Sequence, residues 1–123
     1  MPGELWYADL SPVRSHEQDG VRPVLVMTSR DEVPYPVVIA IPTTTRFRGV
    51  PSHVPVYPPE GGLRSPSVFL CEHMRSVALD RFQRRVGEVS RATLDRISEV
   101  LHELMRLRCP PPEGAPESRW IRS

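Results

Sequence analysis

Proline constrains this chain more than any other residue type. Fifteen of the 123 residues are proline, against an average of about 5%. Four fall near the C-terminus, at Pro110, Pro111, Pro112 and Pro116, and most of the others punctuate residues 34–66. Inside a helix, proline removes a hydrogen bond and its ring clashes with the preceding turn. No helix is therefore expected across 34–66, and what fits between the prolines is short extended runs joined by turns.

The rest of the chain follows that pattern. Residues 3–9 alternate around Leu5, Trp6 and Tyr7 and read as a strand. Residues 11–20 are a polar loop closed by the turn signal Asp19-Gly20. Val21 to Thr28 is a β-branched apolar run, the mark of a buried strand. Its Pro23 cannot donate to a ladder and belongs at the strand's start or on a free side. Residues 30–36 form a loop. Val37 to Ile41 is a second buried strand, which Pro42 should stop, with Thr43, Thr44 and Thr45 at its mouth. An Arg-rich loop follows, then a short strand at 53–57, a Pro/Gly loop at 58–66, and a strand at 67–77 with a bend near Glu72. Residues 79–84 suit one helical turn with Asp80 near its start, and 85–89 a last short strand. Ser90 is a good N-cap for a single long helix ended by Cys109-Pro110. Leu94, Ile97, Leu101, Leu104 and Met105 fall on one face of it, turned to the core or to a second copy. Several short strands and one helix make an α+β, mainly β chain: a small β-barrel with a C-terminal helix beside it. The domain is expected over 1–109, with 110–123 a Pro-rich, mobile tail in which only Trp120 and Ile121 are suited to docking.

Composition narrows the class. With 39% hydrophobic and 25% charged residues, the chain is a globular domain of ordinary size. No apolar run approaches the length of a membrane-spanning helix. The start, MPGELWYADL, carries an acid and lacks the basic region of a secretory leader, so a cytoplasmic protein without membrane attachment is expected. All sixteen basic residues are arginine. That excludes lysine Schiff-base chemistry and a P-loop lysine, and it suits recognition of phosphates and bases through planar bidentate contacts. Codon bias accounts for the same fact, and a net charge of +1 demands no polyanion.

Most catalytic signatures are missing: there is no GxSxG, Walker loop, HExxH or CxxC pair. Cys71 and His73 form a C-x-H, but His16, His53 and His102 lack zinc spacing, so no metal and no cofactor is implied. Cys71 follows an apolar run and reads as an inert core thiol. Two segments stand out. Ser15 to Pro23 sets His16, Glu17 and Arg22 where a loop enters a buried strand, and Pro42 to Arg46 ends the next strand. If the two strands are neighbours, Arg22 and a threonine hydroxyl meet at one point, as a phosphate requires. The plainer reading is that threonines commonly end strands and that Arg22 pairs with Glu17 or Asp19.

Four segments, in order, resemble the MazF/PemK toxin family over Gly3 to about Leu107: GELWYADL, HEQDGVRPVLVM with its E-Q-x-G-x-R-P element, VIAIPTTT, and SVFLCEHMRSV followed by RRVGEVSRATLDRISEVL. The resemblance implies an SH3-like barrel of the MazF/CcdB type, usually a homodimer. It implies a sequence-specific endoribonuclease of a type II toxin–antitoxin pair that cuts single-stranded RNA without metal, leaving a 2′,3′-cyclic phosphate and a 5′-hydroxyl. Residue by residue, the family's arginine falls on Arg22, its acid on Glu17 and its threonine on Thr44, with Thr43 or Thr45 in its place if the register slips by one. The partner implied is a MazE-like antitoxin with an acidic, extended tail. The chain departs from the family at His73, where glutamine is common.

Chemistry then distributes the roles. Arg22 is permanently charged and suits the phosphoryl oxygens, and Thr44 can donate to them. Arginine is a poor base, which leaves Glu17, with His16 competing and a solvated loop histidine as its plain alternative. His73 suits either an acid or a base-reading group. Arg14, Arg46, Arg48 and Arg75 flank the site as RNA contacts. Phe47 either stacks on a splayed base or plugs the barrel mouth. Two alternatives remain open: a CcdB-like toxin that binds DNA gyrase and cleaves nothing, and a degenerate homologue that only binds RNA or antitoxin.

Overall fold

A computed structural model describes residues 2–11, 20–29 and 36–106. Seven antiparallel strands precede one helix. They are β1 (Glu4–Asp9), β2 (Val21–Val26), β3 (Val37–Thr44), β4 (His53–Val56), β5 (Ser67–Leu70), β6 (Arg75–Ala78), β7 (Phe82–Glu88) and α1 (Arg91–Met105). The strands pair in the order β4-β5-β3-β2-β1-β7, with β6 also on β3. This is the mainly β architecture with a C-terminal helix that the sequence implies. The expected bend near Glu72 is a 3-10 turn, Cys71–His73, between β5 and β6, and a second such turn, Leu79–Arg81, precedes β7.

Residues 24–26 of β2 and 37–42 of β3 are apolar because both their faces are covered. Val24 packs with Ala8, Leu10, Ala40 and Val77 on one side, and Leu25 with Leu5, Ile41, Phe69 and Ile97 on the other. The helix closes the second side: Ile97 is fully buried, and Leu94 and Leu101 pack against the same cluster. The apolar stripe then divides, because Leu104 and Met105 stay about half exposed.

Two stops fall elsewhere than the sequence suggests. Pro42 does not end β3, which runs on through Thr44. One edge of β3 pairs with β6 as far as Ala40 and with β5 from Thr43. Pro42 lies in the changeover, where no ladder asks for its missing N–H. The helix ends at Met105, ahead of Cys109-Pro110. Arg106 turns left-handed there (φ 42°) and its N–H caps the carbonyl of His102 at 2.9 Å, closing the last turn. The 110–123 tail, with Trp120 and Ile121, lies outside the described residues.

The N-terminus of α1 is tied to the barrel by one carboxylate. Ser90 Oγ accepts from Thr93 N as the N-cap, while Glu60 Oε2 accepts from the Ser90 amide, the Ser90 hydroxyl and the Thr93 hydroxyl. Beside Glu60 the backbone comes too close for side chains. A Cβ on Gly62 would lie 2.3 Å from the Val86 carbonyl oxygen, and one on Gly87 would lie 2.4 Å from that of Gly61. Burial works against the Glu60 charge, but the bonds from Thr93 and Ser90 outweigh it and hold its carboxyl below the usual range. A carboxyl depressed in the folded state stabilises above its unfolded pKa and loses that contribution as pH falls through the folded value. Glu60→Gln should therefore cost about 1–2 kcal/mol at neutral pH. Thermal unfolding at descending pH should show the gap between variant and wild type closing through the carboxylate range.

Candidate active site

The register of β2 on β3 builds the site. Val24 faces Pro42 and Leu25 faces Ile41. Continued by two residues, that register sets Pro23 across from Thr43 and Arg22 across from Thr44. The side chains agree: Thr43 Oγ1 donates to the Pro23 carbonyl at 2.7 Å, and an Arg22 guanidinium N–H donates to the Thr43 carbonyl at 3.0 Å.

The three threonines are thereby distinguished. Thr43 is 2% exposed, with its hydroxyl proton committed to Pro23. Thr44 is half-buried, and its Oγ1 accepts the Arg46 amide at 3.2 Å. An oxygen engaged as an acceptor keeps its own proton for a further partner. Thr45 is exposed beyond the end of the strand.

Arg22, Thr43, Thr44, Thr45 and Arg46 line one cleft of about 450 Å³, closed by Tyr7 and by Arg64, Ser65 and Ser67 of the segment leading into β5. The Arg84 guanidinium lies 4.5 Å over the Tyr7 ring and braces this wall. Arg22, Arg46 and Arg64 bring three permanent cations to the cleft, and no acid lines it among the described residues.

Thr44 and Arg46 also line a second cleft, of about 270 Å³, with Arg48, Val50, His53, Leu70, Glu72 and His73. Here Ser52 Oγ donates to Glu72 Oε1 at 2.8 Å, and His53 Nε2 meets Glu72 Oε2 at 2.7 Å. Burial opposes the Glu72 charge, but the bonds from Ser52 and His53 prevail and hold its carboxyl below the usual range.

Of the residues singled out in the sequence, the structure brings Arg22, Thr43, Thr44, Thr45, Arg46, Arg48 and His73 to these two adjoining clefts. Arg75 lines neither; it sits on β6 opposite Ala40, four residues back along β3 from Thr44. Phe47 does not plug the barrel. It is 48% exposed and stacks on Tyr57, ring centroids 6.2 Å apart. Arg14, His16 and Glu17 lie outside the described residues. The root of their loop is described: Leu10 N donates to the Gly20 carbonyl, Gly20 N donates to Ser11 Oγ, and Arg81 bonds the carbonyls of Asp9 and Ser11. Cys71 is buried, and burial first, then the neighbouring Glu72 charge, pushes its thiol up to about 12, which leaves it inert at neutral pH.

Sequence reasoning missed Tyr7, Arg64, Ser65, Ser52, His53 and Glu72. Arg64-Ser65 carried a faint signal, a cation and a hydroxyl one residue beyond the Gly61-Gly62 turn. The pairing of His53 with Glu72 joins positions 19 apart and carried none.

Comparison with known proteins gives the family and the fold. A family model described as PemK-like, MazF-like toxin of type II toxin–antitoxin system matches residues 1–105. Endoribonuclease EndoA of Bacillus subtilis is 32% identical over 102 residues, covering 80% of this chain and 88% of that protein. Among solved structures, MazF of Deinococcus radiodurans superposes with a TM-score of 0.73 at 27% identity, over 86% of this chain and 96% of the other. A MazE–MazF structure from the same organism gives 0.67 at 28%, over 86% and 95%.

The two buried-versus-open threonines make opposite expectations for stability. Thr43→Val leaves the Pro23 carbonyl without its donor and should cost about 1–3 kcal/mol. Thr44→Val should stay within about 0.5 kcal/mol of wild type. Thermal unfolding of the two variants side by side measures both.

Proposed function

The chain belongs to the PemK-like, MazF-like toxins of type II toxin–antitoxin systems and is an endoribonuclease, and from that premise we propose that Arg22 and Thr44 act on the scissile phosphate of single-stranded RNA. The observation that carries the reading is that Arg22, Thr44, Arg46 and Arg64 line one cleft. A curated relative that is an endoribonuclease, 32% identical, disfavours the gyrase-binding alternative.

In this reading the ribose 2′-hydroxyl is the nucleophile. A base takes its proton, the 2′-oxygen bonds to phosphorus, and the bond from phosphorus to the 5′-oxygen breaks, the leaving oxygen departing with a proton. The products are a 2′,3′-cyclic phosphate and a 5′-hydroxyl. Arg22 faces the phosphoryl oxygens with a charge that no working pH removes. Thr44 donates its proton to the same oxygens and helps fix the in-line geometry. The base is assigned to Glu17, with His16 its competitor. Both belong to the loop whose two ends are pinned together at Ser11 and Gly20, two residues from Arg22. Because the nucleophile is carried by the substrate, the reaction needs no metal-activated water.

The partners follow from charge and exposure. The arginines of the two clefts suit RNA, and equally the acidic extended tail of a MazE-like antitoxin. The exposed Leu104 and Met105 at the end of α1 suit a homodimer contact. An RNA substrate suits a cytoplasmic protein; among the described residues no helix is long and apolar enough to cross a membrane.

Arg22→Ala and Thr44→Ala should each lower cleavage by about 10²–10³-fold or more, far out of proportion to any shift in Tm. An oligonucleotide with a single 2′-deoxyribose 5′ of the cut should bind and stay whole, and excess EDTA should leave the all-ribose rate unchanged. A product ending in a plain 3′-hydroxyl would overturn the mechanism. Leu104→Glu should shift light scattering from dimer toward monomer, and a wild type that is monomeric at micromolar concentration would remove the dimer.

A further inference from the structure

Beside the phosphate cleft lies a second polar device that the cleavage chemistry does not use. Glu72 sits at the turn between β5 and β6, its side chain about a third exposed at the smaller cleft. Each of its oxygens takes one fixed donor from within the protein, Ser52 Oγ on Oε1 and His53 Nε2 on Oε2. A carboxylate offers about four acceptor positions, so its open side keeps acceptor capacity for a ligand.

The histidine behind it is costly as a mere brace. The His53 side chain is 6% exposed, and its Nδ1 is buried with no hydrogen-bond partner. A buried polar group left unmatched weakens the fold, and what this one achieves is to aim a carboxylate at a cleft. The same cleft carries donors on its other walls: His73, whose Nε2 is 3.8 Å from Glu72 Oε2, and Arg48. At about 270 Å³ it is smaller than the 300–1,000 Å³ pockets of drug-sized ligands, a size for one base. Thr44 and Arg46 join it directly to the phosphate cleft.

We propose that this cleft reads the base of a nucleotide flanking the scissile phosphate and selects guanine, with Glu72 accepting the guanine N1–H and N2–H and with His73 or Arg48 donating to O6. The proposal rests on the endoribonuclease reading above and adds its sequence preference. Single-stranded RNA is read on such exposed Watson–Crick edges. Guanine is the base that sets two donors side by side there with an acceptor next to them. Uracil presents carbonyl oxygens on both sides of its N3–H and is repelled by a carboxylate. Adenine and cytosine offer one amine beside an unprotonated ring nitrogen.

The test has a cutting arm and a binding arm. Cleavage of a randomised RNA pool is sequenced for wild type, Glu72→Gln and Ser52→Ala, with thermal unfolding of each. Binding is measured by anisotropy on uncleavable 2′-O-methyl oligonucleotides carrying guanine, inosine or adenine at the flanking position. Inosine differs from guanine by the loss of the N2 amine alone. Wild type should favour guanine over the other bases by on the order of ten- to a hundredfold, the range of one good bidentate base contact, and should bind inosine more weakly. Glu72→Gln should still cut RNA with that preference erased, and Ser52→Ala, which keeps the carboxylate, should retain part of it. A wild type that cuts without regard to guanine beside the scissile bond, or that binds inosine as well as guanine, overturns the proposal and leaves the nuclease reading intact. So does a Glu72→Gln variant with an unchanged motif. A wild type that cuts no RNA but still discriminates guanine from inosine overturns the nuclease reading and supports the pocket.

Discussion

The structure depends on one pairing, β2 against β3 with Val24 facing Pro42. Side chains on a strand alternate faces, so a slip of one residue sends every side chain to the opposite side. Here a slip would carry Leu25 and Ile41 out of the larger core cluster and would bring Thr43 or Thr45 across from Arg22. Core packing and site geometry are thus fixed by the same register, and the apolar residues hold it. Val24, Leu25, Val26, Ala40 and Ile41 are all fully buried, and together they outweigh anything the polar residues at the strand ends could impose. The threonine–proline bond from Thr43 to Pro23 then locks the last step of the ladder, where proline has no N–H to give.

Much of this was legible in the sequence, for physical reasons. Runs rich in β-branched residues at 21–28 and 37–41 announce strands whose inner residues are covered on both faces, and Ser90 ahead of a 3.6-residue stripe announces the helix. That Arg22 and Thr44 meet in one cleft was legible because both belong to those neighbouring strands. The stops were harder to read. Pro42 breaks a strand only where a neighbour needs its N–H, and that depends on which strands lie beside it. Arg106 adopts a left-handed cap, a conformation with no strong mark in an arginine. The second cleft was beyond reach, because Ser52, His53 and Glu72 are joined only when β4 pairs with β5. Phe47 was ambiguous for the same reason: its partner, Tyr57, comes from the far end of β4.

In the proposed reading, the two clefts divide the work of recognition by charge. The larger one gathers cations and hydroxyls, which grip any phosphate whatever base it carries. The smaller one adds the ionised Glu72 to Arg46, Arg48 and His73, so it offers a base edge acceptors as well as donors. Side by side at the end of β3, they would let a single bound strand be held by its backbone and inspected by its bases. Arg46, on both walls, keeps the two kinds of contact in step. A protein with no lysine suits this arrangement, since guanidinium groups address flat, planar partners as well as point charges.

The backbone contact of Gly61 and Gly62 with Val86 and Gly87 has a further consequence, for the entropy of binding. The segment carrying Arg64 and Ser65 starts where main chain presses on main chain, and Glu60 clasps the same place to the helix. The backbone of such a wall is ordered when the protein folds, so a ligand meets the Arg64 main chain already in position and has only its exposed side chain left to arrest. The opposite wall, from Thr45 to Val50, is exposed throughout, and its arginines surrender rotamer freedom only when RNA arrives. One side of the groove is a fixed jaw and the other an adjustable one. Substitutions that retune which sequences are held are therefore best tolerated at exposed side chains such as Arg48, and less well at Gly49, which holds a positive φ, or at Phe47, which stacks on Tyr57.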